Sequence, residues 1–400
     1  MRKWRVPPAA IIPSPPWTIS AGRLARFRKK LLAWFRRERR DLPWRRTKDP
    51  YRIWISEVML QQTRVVAVIP YYERFVRRFP TVQTLARAKM ETVLEYWAGL
   101  GYYSRARNMH AAAKQIVARH GGRFPRQLDD ALELPGIGRY TAAAILSIAF
   151  NEPLAVLDGN VARVLARLGA VRGDLRAPKR WGELERAASA LLALREAGDW
   201  NQAMMELGAT VCTPLLPRCD ACHVEYACRA RALGIEDDLP AKRSKRAVVS
   251  VTLAAAVLLD PQGRTMLVRP TAGGTRSEAQ TLFSGLWQFP AVIVSENPRA
   301  EIAKVIRGLY GLKGAGLKLE MRPLALARHT VTFRRIKLAS FLVPVMTLPA
   351  VKGASARIAS LTDVGKVAVS SATRKIAAAA NMDFVRPASS RRIPKKILRK

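Results

Sequence analysis

The chain has 400 residues, 49% of them hydrophobic, and sets 69 lysines and arginines against 30 aspartates and glutamates, a formal net charge of +39. Such a length fills two cores rather than one, no apolar run is long enough to cross a membrane, and four cysteines gathered in one stretch do not make a disulfide framework. A field this positive attracts polyanions and gains from counterion release on a phosphate backbone, so nucleic acid is the expected partner.

Residues 1–20 are rich in proline, lack the apolar stretch of a signal peptide and are expected to be disordered; a soluble, cytoplasmic protein is expected. From about Ala21 to Leu233 the pattern is helical. Leu24, Phe27, Leu31 and Phe35 recur at three- and four-residue spacing, as do Val161, Val164, Leu165 and Leu168. Leu42-Pro43-Trp44-Arg45 precedes Asp49-Pro50, an N-cap and first helical residue for a segment expected to run through Glu57 to Ile69. On that helix Glu57 has Ile53, Trp54 and Leu60 as neighbours, and Gln61 is the only polar one. Burial there would raise its pKa enough to hold a proton near neutrality.

Leu134-Pro135-Gly136-Ile137-Gly138 separates a helix ending near Leu132 from one starting at Arg139. Gly136 and Gly138 allow a tight hairpin, and the new helix presents unpaired N–H groups and its positive dipole end, which suits a phosphate. Alone it is equally an ordinary helix–helix turn; the basic composition tips the reading toward DNA backbone. Further on, Asp158 in Leu157-Asp158-Gly159-Asn160-Val161 stands where another helix begins. It is either a plain N-cap or a carboxylate that the dipole keeps ionised to face a developing positive charge. Glu57 and Asp158, shifted in opposite senses, would be an acid and an anion, the pair that glycosidic cleavage needs.

Cys212, Cys219, Cys222 and Cys228 follow at the spacing Cys-x6-Cys-x2-Cys-x5-Cys. Four thiolates on one loop read as the ligand set of one metal centre. The uneven spans favour a [4Fe-4S] cluster; structural zinc, which prefers two close-set Cys-x2-Cys pairs, ranks second. His223 is a bystander when four thiols are present. Arg218 lies between the first two ligands.

Residues 234–247 are charged, contain Pro240, have no period and read as a linker. A β-type run over Val248–Leu259, a turn at Asp260–Gly263, a returning strand over Arg264–Arg269, a helix over Pro298–Leu309 and one or two strands over His329–Val345 make residues 248–370 an α+β domain. Residues 371–400, ending in a basic run, are expected to be a disordered tail.

Taken in order, the hairpin Leu134–Thr141, the Leu157–Val161 run and the cysteine loop resemble the iron-sulfur DNA glycosylases of the endonuclease III superfamily. Within it, Ser56-Glu57-Val58-Met59-Leu60-Gln61-Gln62-Thr63 and Gly99–Asn108 resemble signatures of its MutY branch, the adenine DNA glycosylases. The match spans roughly Leu24 to Cys228 and implies a mostly α helix-hairpin-helix glycosylase domain over 21–233, carrying a [4Fe-4S] loop over 212–228. By this resemblance Glu57 protonates a flipped adenine and later activates water, and Asp158 stabilises or traps the sugar cation. Tyr140 and Asn160 support them. A lysine at the Tyr140 position would attack the sugar and make a lyase, whereas tyrosine forms no Schiff base. Gln62 and Tyr102 would fill the gap that the base leaves, and Trp44 is a pocket wall or an ordinary core residue. Arg45, Arg218, Gly136 and Gly138 are the expected DNA contacts. The substrate implied is double-stranded DNA with adenine opposite 8-oxoguanine or guanine, and the product an abasic site. A pyrimidine glycosylase on the same scaffold and a catalytically silent DNA-binding protein are the rivals.

Gly285-Leu286-Trp287-Gln288-Phe289-Pro290 resembles a segment of the MutT/Nudix-like module that MutY proteins carry. The hydrolase's glutamate-rich box is missing, since Arg299–Gly314 holds only Glu301 as an acid, so the implied task is reading 8-oxoguanine. Where the family carries Phe-Ser-His, this chain has Val331-Thr332-Phe333, with Thr332 and Phe333 the candidate readers. A monomer is expected.

Overall fold

The computed structural model describes residues 19–241, 247–270, 286–309, 320–331, 334–349 and 354–385. They form two compact units: one built from residues up to Ala88 and from Arg107 to the linker, the other from Lys89–Ala106 and the chain after the linker. Residues 89–106 thus interrupt the continuous span expected for the helical domain. The Arg269 guanidinium, 3.1 Å from Glu91, is one contact holding them in the second unit. Among the described residues no helix is long and apolar enough to cross a membrane.

In chain order the first helices are α1 (Ala21–Glu38), α2 (Pro50–Leu60), α3 (Val65–Arg78), α4 (Val82–Arg87), α5 (Met90–Trp97) and α6 (Ser104–Arg119). They are followed by α7 (Leu128–Leu132), α8 (Arg139–Phe150), α9 (Gly159–Leu168), α10 (Pro178–Leu191), α11 (Ala197–Thr210) and the single turn α12 (Arg229–Ala232). Asp49 caps α2 as expected, its Oδ1 accepting from the Tyr51 N–H at 2.9 Å. The helix does not continue to Ile69. It ends at Leu60, Gln62 takes a left-handed φ of 58°, and α3 starts afresh at Val65. The apolar pattern alone could not show this break, because it resumes on the far side.

α2 packs on α3 and α8, α8 on α11, and α11 on α9 and α1. Central position explains why α2 and α8 are apolar on nearly every face: Ile53–Met59 and Thr141–Ile148 are buried without interruption. At the α8–α11 crossing Gly198 lets the backbones meet, since a Cβ there would lie 2.5 Å from the Ser147 carbonyl oxygen.

In the second unit β1 (Val249–Leu259) and β2 (Arg264–Pro270) form the expected hairpin. Asp260 closes it by accepting from the N–H groups of Gln262 and Arg264 at 3.1 and 2.8 Å. β3 (Ala291–Ile293), β4 (Arg322–Val331), β5 (Arg334–Pro344) and β6 (Ala354–Ser360) complete a six-stranded sheet of order β4-β5-β1-β2-β6, with β3 also on β1. β1 and β5 run parallel and the other pairs antiparallel. Strand alternation divides β1 between two cores. Leu253, Ala255, Val257 and Leu259 join Trp287, Phe289 and Ile376 on one face, while Ala254, Ala256 and Leu258 join Ile302, Ile306 and Phe341 on the other. One helix serves each face, α13 (Pro298–Leu309) and α14 (Ser371–Val385). This is the α+β architecture read from the sequence.

α14 corrects the reading of a tail from residue 371. Its Ala372, Ile376, Ala377 and Ala380 repeat at helical spacing and are buried, a pattern that the basic charge farther on overshadowed. Thr332, Phe333, Gly285 and residues 1–18 lie outside the described residues.

Substituting Gly198→Ala should force the α8–α11 backbones apart and cost about 1–3 kcal/mol. A thermal melt of the variant reads this as a lowered Tm; an unchanged Tm would mean that the helices do not cross this closely.

Candidate active site

Glu57 near the end of α2, Tyr140 in the first turn of α8, and Asp158 and Asn160 at the start of α9 line one cavity of about 540 Å³. The consecutive helices α8 and α9 and the sequence-distant α2 thus bring together the four residues expected to act together. The Tyr140 hydroxyl donates to Glu57 Oε2 at 2.9 Å, with Met205 Sδ 3.2 Å away on its other side. Burial pushes the Glu57 carboxyl up to about 7; the Tyr140 hydrogen bond opposes this and the charge of Asp158 adds to it. Asp158 is held as an N-cap, Oδ1 accepting from the Val161 N–H at 2.7 Å and Oδ2 from Asn160 Nδ2 at 3.0 Å.

Asp158 departs from the expected opposition. Burial raises its pKa too, and the bonds from Val161 and Asn160 reduce that rise without reversing it. Glu57, with the Tyr140 hydroxyl as its own donor, is raised as well, so the expected opposition is not found.

The carboxylate pushed the other way is Glu206, which sequence reasoning missed. It sits on α11, 1% exposed, and lines the same cavity. Arg40 Nη2 and Arg45 Nη2 reach its Oε2 at 2.7 and 2.8 Å, and Arg40 Nε reaches Oε1 at 2.8 Å. Burial would raise its pKa, but these bonds win and hold it at about 2. An acid embedded in the apolar run Met204-Met205-Glu206-Leu207 repeats the signal that marked Glu57. Arg45 is consequently corrected: its side chain is nearly buried against Glu206 and is committed to that pair, not offered to a DNA phosphate. Trp44 serves both of its readings, since it is buried, meets the Tyr72 ring edge-on at 5.3 Å and lines the cavity.

The hairpin places Gly136 at φ 80°, where a Cβ would also strike Asn108 Cβ at 2.7 Å. No other residue satisfies both conditions. Gly138 is the N-cap of α8, and both glycines are exposed. Gln62 lines the cavity at an exposed, left-handed position. Tyr102, in the second unit, is also left-handed, with φ 47°, and 42% exposed.

All four cysteines line one small cavity beyond α11, although among the described residues no three His, Cys, Asp or Glu side chains are placed to hold one metal ion. Burial and the neighbouring thiols raise the pKa of Cys222 to about 12. His223 turns away to Arg37, 3.0 Å from its Nη2. Arg218 is exposed and donates to the Thr210 carbonyl. Two arginines of α9 tie this loop to the site. Arg163 bonds Asn160 Oδ1 at 2.9 Å and the Cys212 carbonyl at 2.9 Å; Arg167 donates to Cys212 Sγ at 3.3 Å and the Thr213 carbonyl at 2.7 Å.

Residues 55–189 match the family model of the HhH-GPD superfamily base excision DNA repair protein. The chain is 36% identical to the adenine DNA glycosylase of Homo sapiens over 416 residues, covering 88% of this chain and 73% of that protein. It is 48% identical to the adenine DNA glycosylase of Rattus norvegicus over 213 residues, 51% of this chain and 41% of that one. Among solved structures, a thermostable thymine-DNA glycosylase is 28% identical with a TM-score of 0.49, covering 53% of this chain and 98% of that chain.

The two buried glutamates should respond oppositely to pH. The raised pKa of Glu57 makes its contribution to stability complete below about pH 4.5 and lost as pH rises through about 7. Glu57→Gln should therefore be more stable than the parent at pH 8, by about 3 kcal/mol, and no more stable at pH 4. The depressed pKa of Glu206 stabilises the fold above its usual value near 4.5 and is lost as pH falls through about 2. Glu206→Ala, which strands Arg45, should cost about 3–5 kcal/mol at neutral pH. Denaturant melts across this pH range check both.

Proposed function

Because the chain belongs to the adenine DNA glycosylases of the HhH-GPD base-excision-repair superfamily, we propose how its own residues perform that reaction and on which mispairs. The enzyme cleaves the N-glycosidic bond of adenine in DNA. The observation that carries the mechanism is a carboxyl group with a pKa of about 7, oriented by Tyr140 in a cavity shared with Asp158.

Gln62 and Tyr102 enter the duplex as adenine leaves it; both are exposed, and Tyr102 keeps a left-handed backbone away from any helix end. The exposed Gly136–Gly138 turn and the first N–H groups of α8 take the adjoining phosphate. In the cavity neutral Glu57 gives its proton to a ring nitrogen of adenine, which then departs with the bond's electron pair. Ionised Asp158, fixed by Val161 and Asn160, faces the positive charge that develops at the sugar carbon. Glu57, now a carboxylate, takes a proton from the water that adds to that carbon. The products are free adenine and an abasic site. Tyr140 offers no amine, so the strand is not cut by Schiff-base chemistry. Glu206, ionised and neutralised by its two arginines, forms a polar cavity wall without competing for the proton.

The substrate is adenine opposite 8-oxoguanine or guanine in duplex DNA, with the second unit reading the opposite base. The four cysteines suit a [4Fe-4S] cluster. They share one cavity, and their uneven spacing favours the cluster over structural zinc. Cys212, Cys219, Cys222 and Cys228 would hold it, which would tie the ends of the loop together, and Arg167 donates to Cys212 Sγ.

Single-turnover cleavage of duplexes with adenine opposite 8-oxoguanine, guanine or thymine tests the reading. Adenine should leave the first two, the rate should fall as pH rises through about 7, and Glu57→Gln and Asp158→Asn should each slow it at least about 100-fold. Cleavage that survives both substitutions would refute the mechanism. Elemental analysis of the purified protein should return four irons for the four cysteines; one zinc would replace the cluster assignment and leave the glutamate chemistry standing.

A further inference from the structure

Residues 89–106 carry Tyr102, yet they group with the unit that contains the β-sheet. One side chain of the sheet grips the start of this segment. Arg269 on β2 donates from Nη1 and Nη2 to Oε1 of Glu91, in the first turn of α5, at 3.1 and 3.2 Å. Its guanidinium carbon lies 4.7 Å from the centroid of the Trp287 ring, and Trp287 is itself buried in one core of the sheet. The Arg269 side chain is only 26% exposed. A guanidinium backed by an aromatic face and aimed at one carboxylate is held more firmly than an ordinary surface ion pair.

From Glu91 a continuous set of bonds leads to Tyr102. α5 runs unbroken from Met90 to Trp97, which is fully buried. Trp97 Nε1 donates to the Gly101 carbonyl at 3.1 Å. Arg105 sets its guanidinium 5.3 Å from the Trp97 ring and 5.4 Å from the Tyr102 ring, and its Nη2 donates to the carbonyls of Leu100 and Gly101 at 3.4 and 3.3 Å. The Tyr103 hydroxyl accepts from the Gly99 N–H at 3.2 Å. Tyr102 is thus an exposed ring on a left-handed backbone whose neighbours on both sides are tied down. Every residue on this path lies in the second unit.

We propose that Arg269 is a positioning residue for the Tyr102 loop: by holding Glu91 to the sheet it sets the ring in register with the unit that reads the opposite base, and thereby strengthens the preference for 8-oxoguanine over guanine. The proposal rests on the reading of Tyr102 as a side chain that enters the duplex and of the second unit as the reader. A base recognised by the sheet can alter excision only through a coupling free energy, and a rigid arm from the sheet to the inserting ring supplies one. A loosened arm would let Tyr102 enter beside either base with equal ease.

Single-turnover rates on duplexes with adenine opposite 8-oxoguanine and opposite guanine give the preference as a ratio. Arg269→Ala and Glu91→Ala should each lower that ratio about fivefold, by slowing the 8-oxoguanine duplex alone, and the double variant should lower it no further. Arg269→Lys, which keeps the charge and loses the planar fork, should recover only part of it. Hydrogen exchange of the free protein needs no substrate. In Arg269→Ala the hydrogen-bonded amides of Gly99, Leu100 and Arg105 should exchange about fivefold faster, while those of α8 keep the parental rate and so certify the fold. An unchanged ratio in a protein whose wild type does discriminate overturns the proposal, as do additive losses in the double variant or unchanged exchange. A wild type that does not discriminate between the two bases, with loop exchange still dependent on Arg269, would keep Arg269 as the positioning residue and sink the opposite-base reading instead.

Discussion

The site depends on one constraint, the burial of a carboxylic acid at the centre of a helical unit. α2 lies between α3 and α8, and the residues around Glu57 on its own helix are apolar or buried, apart from Gln61 at the helix end. Desolvation is the largest influence on that group, larger than the Tyr140 hydrogen bond that opposes it. A proton can therefore reside on it near pH 7, where an exposed glutamate would have lost its proton. The packing that achieves this, α2 against α8 and α8 against α11 through Gly198, also sets Tyr140 and Asp158 at the same cavity. Stability is given up at this point, since the fold carries an acid that it would rather keep neutral, and the reaction uses that preference.

Much of this was legible in the sequence, for identifiable reasons. The helix starts at Arg139 and Gly159, the cap at Asp49 and the β1–β2 hairpin rest on local rules of capping and turn formation, and they appear where those rules place them. The burial of Glu57 followed from the residues three and four positions away on one helix. What failed was non-local. Arg45 looked like a free cation because its partner Glu206 lies 161 residues away in the chain. The break at Gln62 is invisible to an apolar period that continues across it. α14 went unread because alanines carry its buried face, and alanine marks a helix only weakly as an interior one.

Among the described residues, the left-handed non-glycine positions fall into two groups. Of the non-glycine residues with positive φ, Asn151 caps α8 and Ala170 follows the end of α9, where left-handed residues end helices routinely. Gln62 likewise follows the C-cap of α2, whereas Tyr102 and Leu216 follow no helix end; all three are exposed. A folded chain keeps an unfavourable conformation only where its surroundings over-determine it. Around Leu216 the bonds of Thr213, Arg167 and Arg218 do so.

The acid–base division in the cavity consequently falls between partners other than those the motifs suggest. Glu57 and Asp158 are both raised, so their difference cannot rest on the helix dipole alone. Glu57 and Glu206 are the pair that environment separates, one near 7 and one near 2 in the same cavity. Both are desolvated; the difference is that Glu206 receives two guanidinium groups and Glu57 receives a neutral phenol. Had Arg45 instead faced Glu57, the acid would have been locked as a carboxylate and its proton lost. Arg45 still lowers the Glu57 pKa through its charge, as the smallest of the influences on that group, but its guanidinium bonds Glu206 instead, so burial stays dominant and the acid keeps its proton near neutrality.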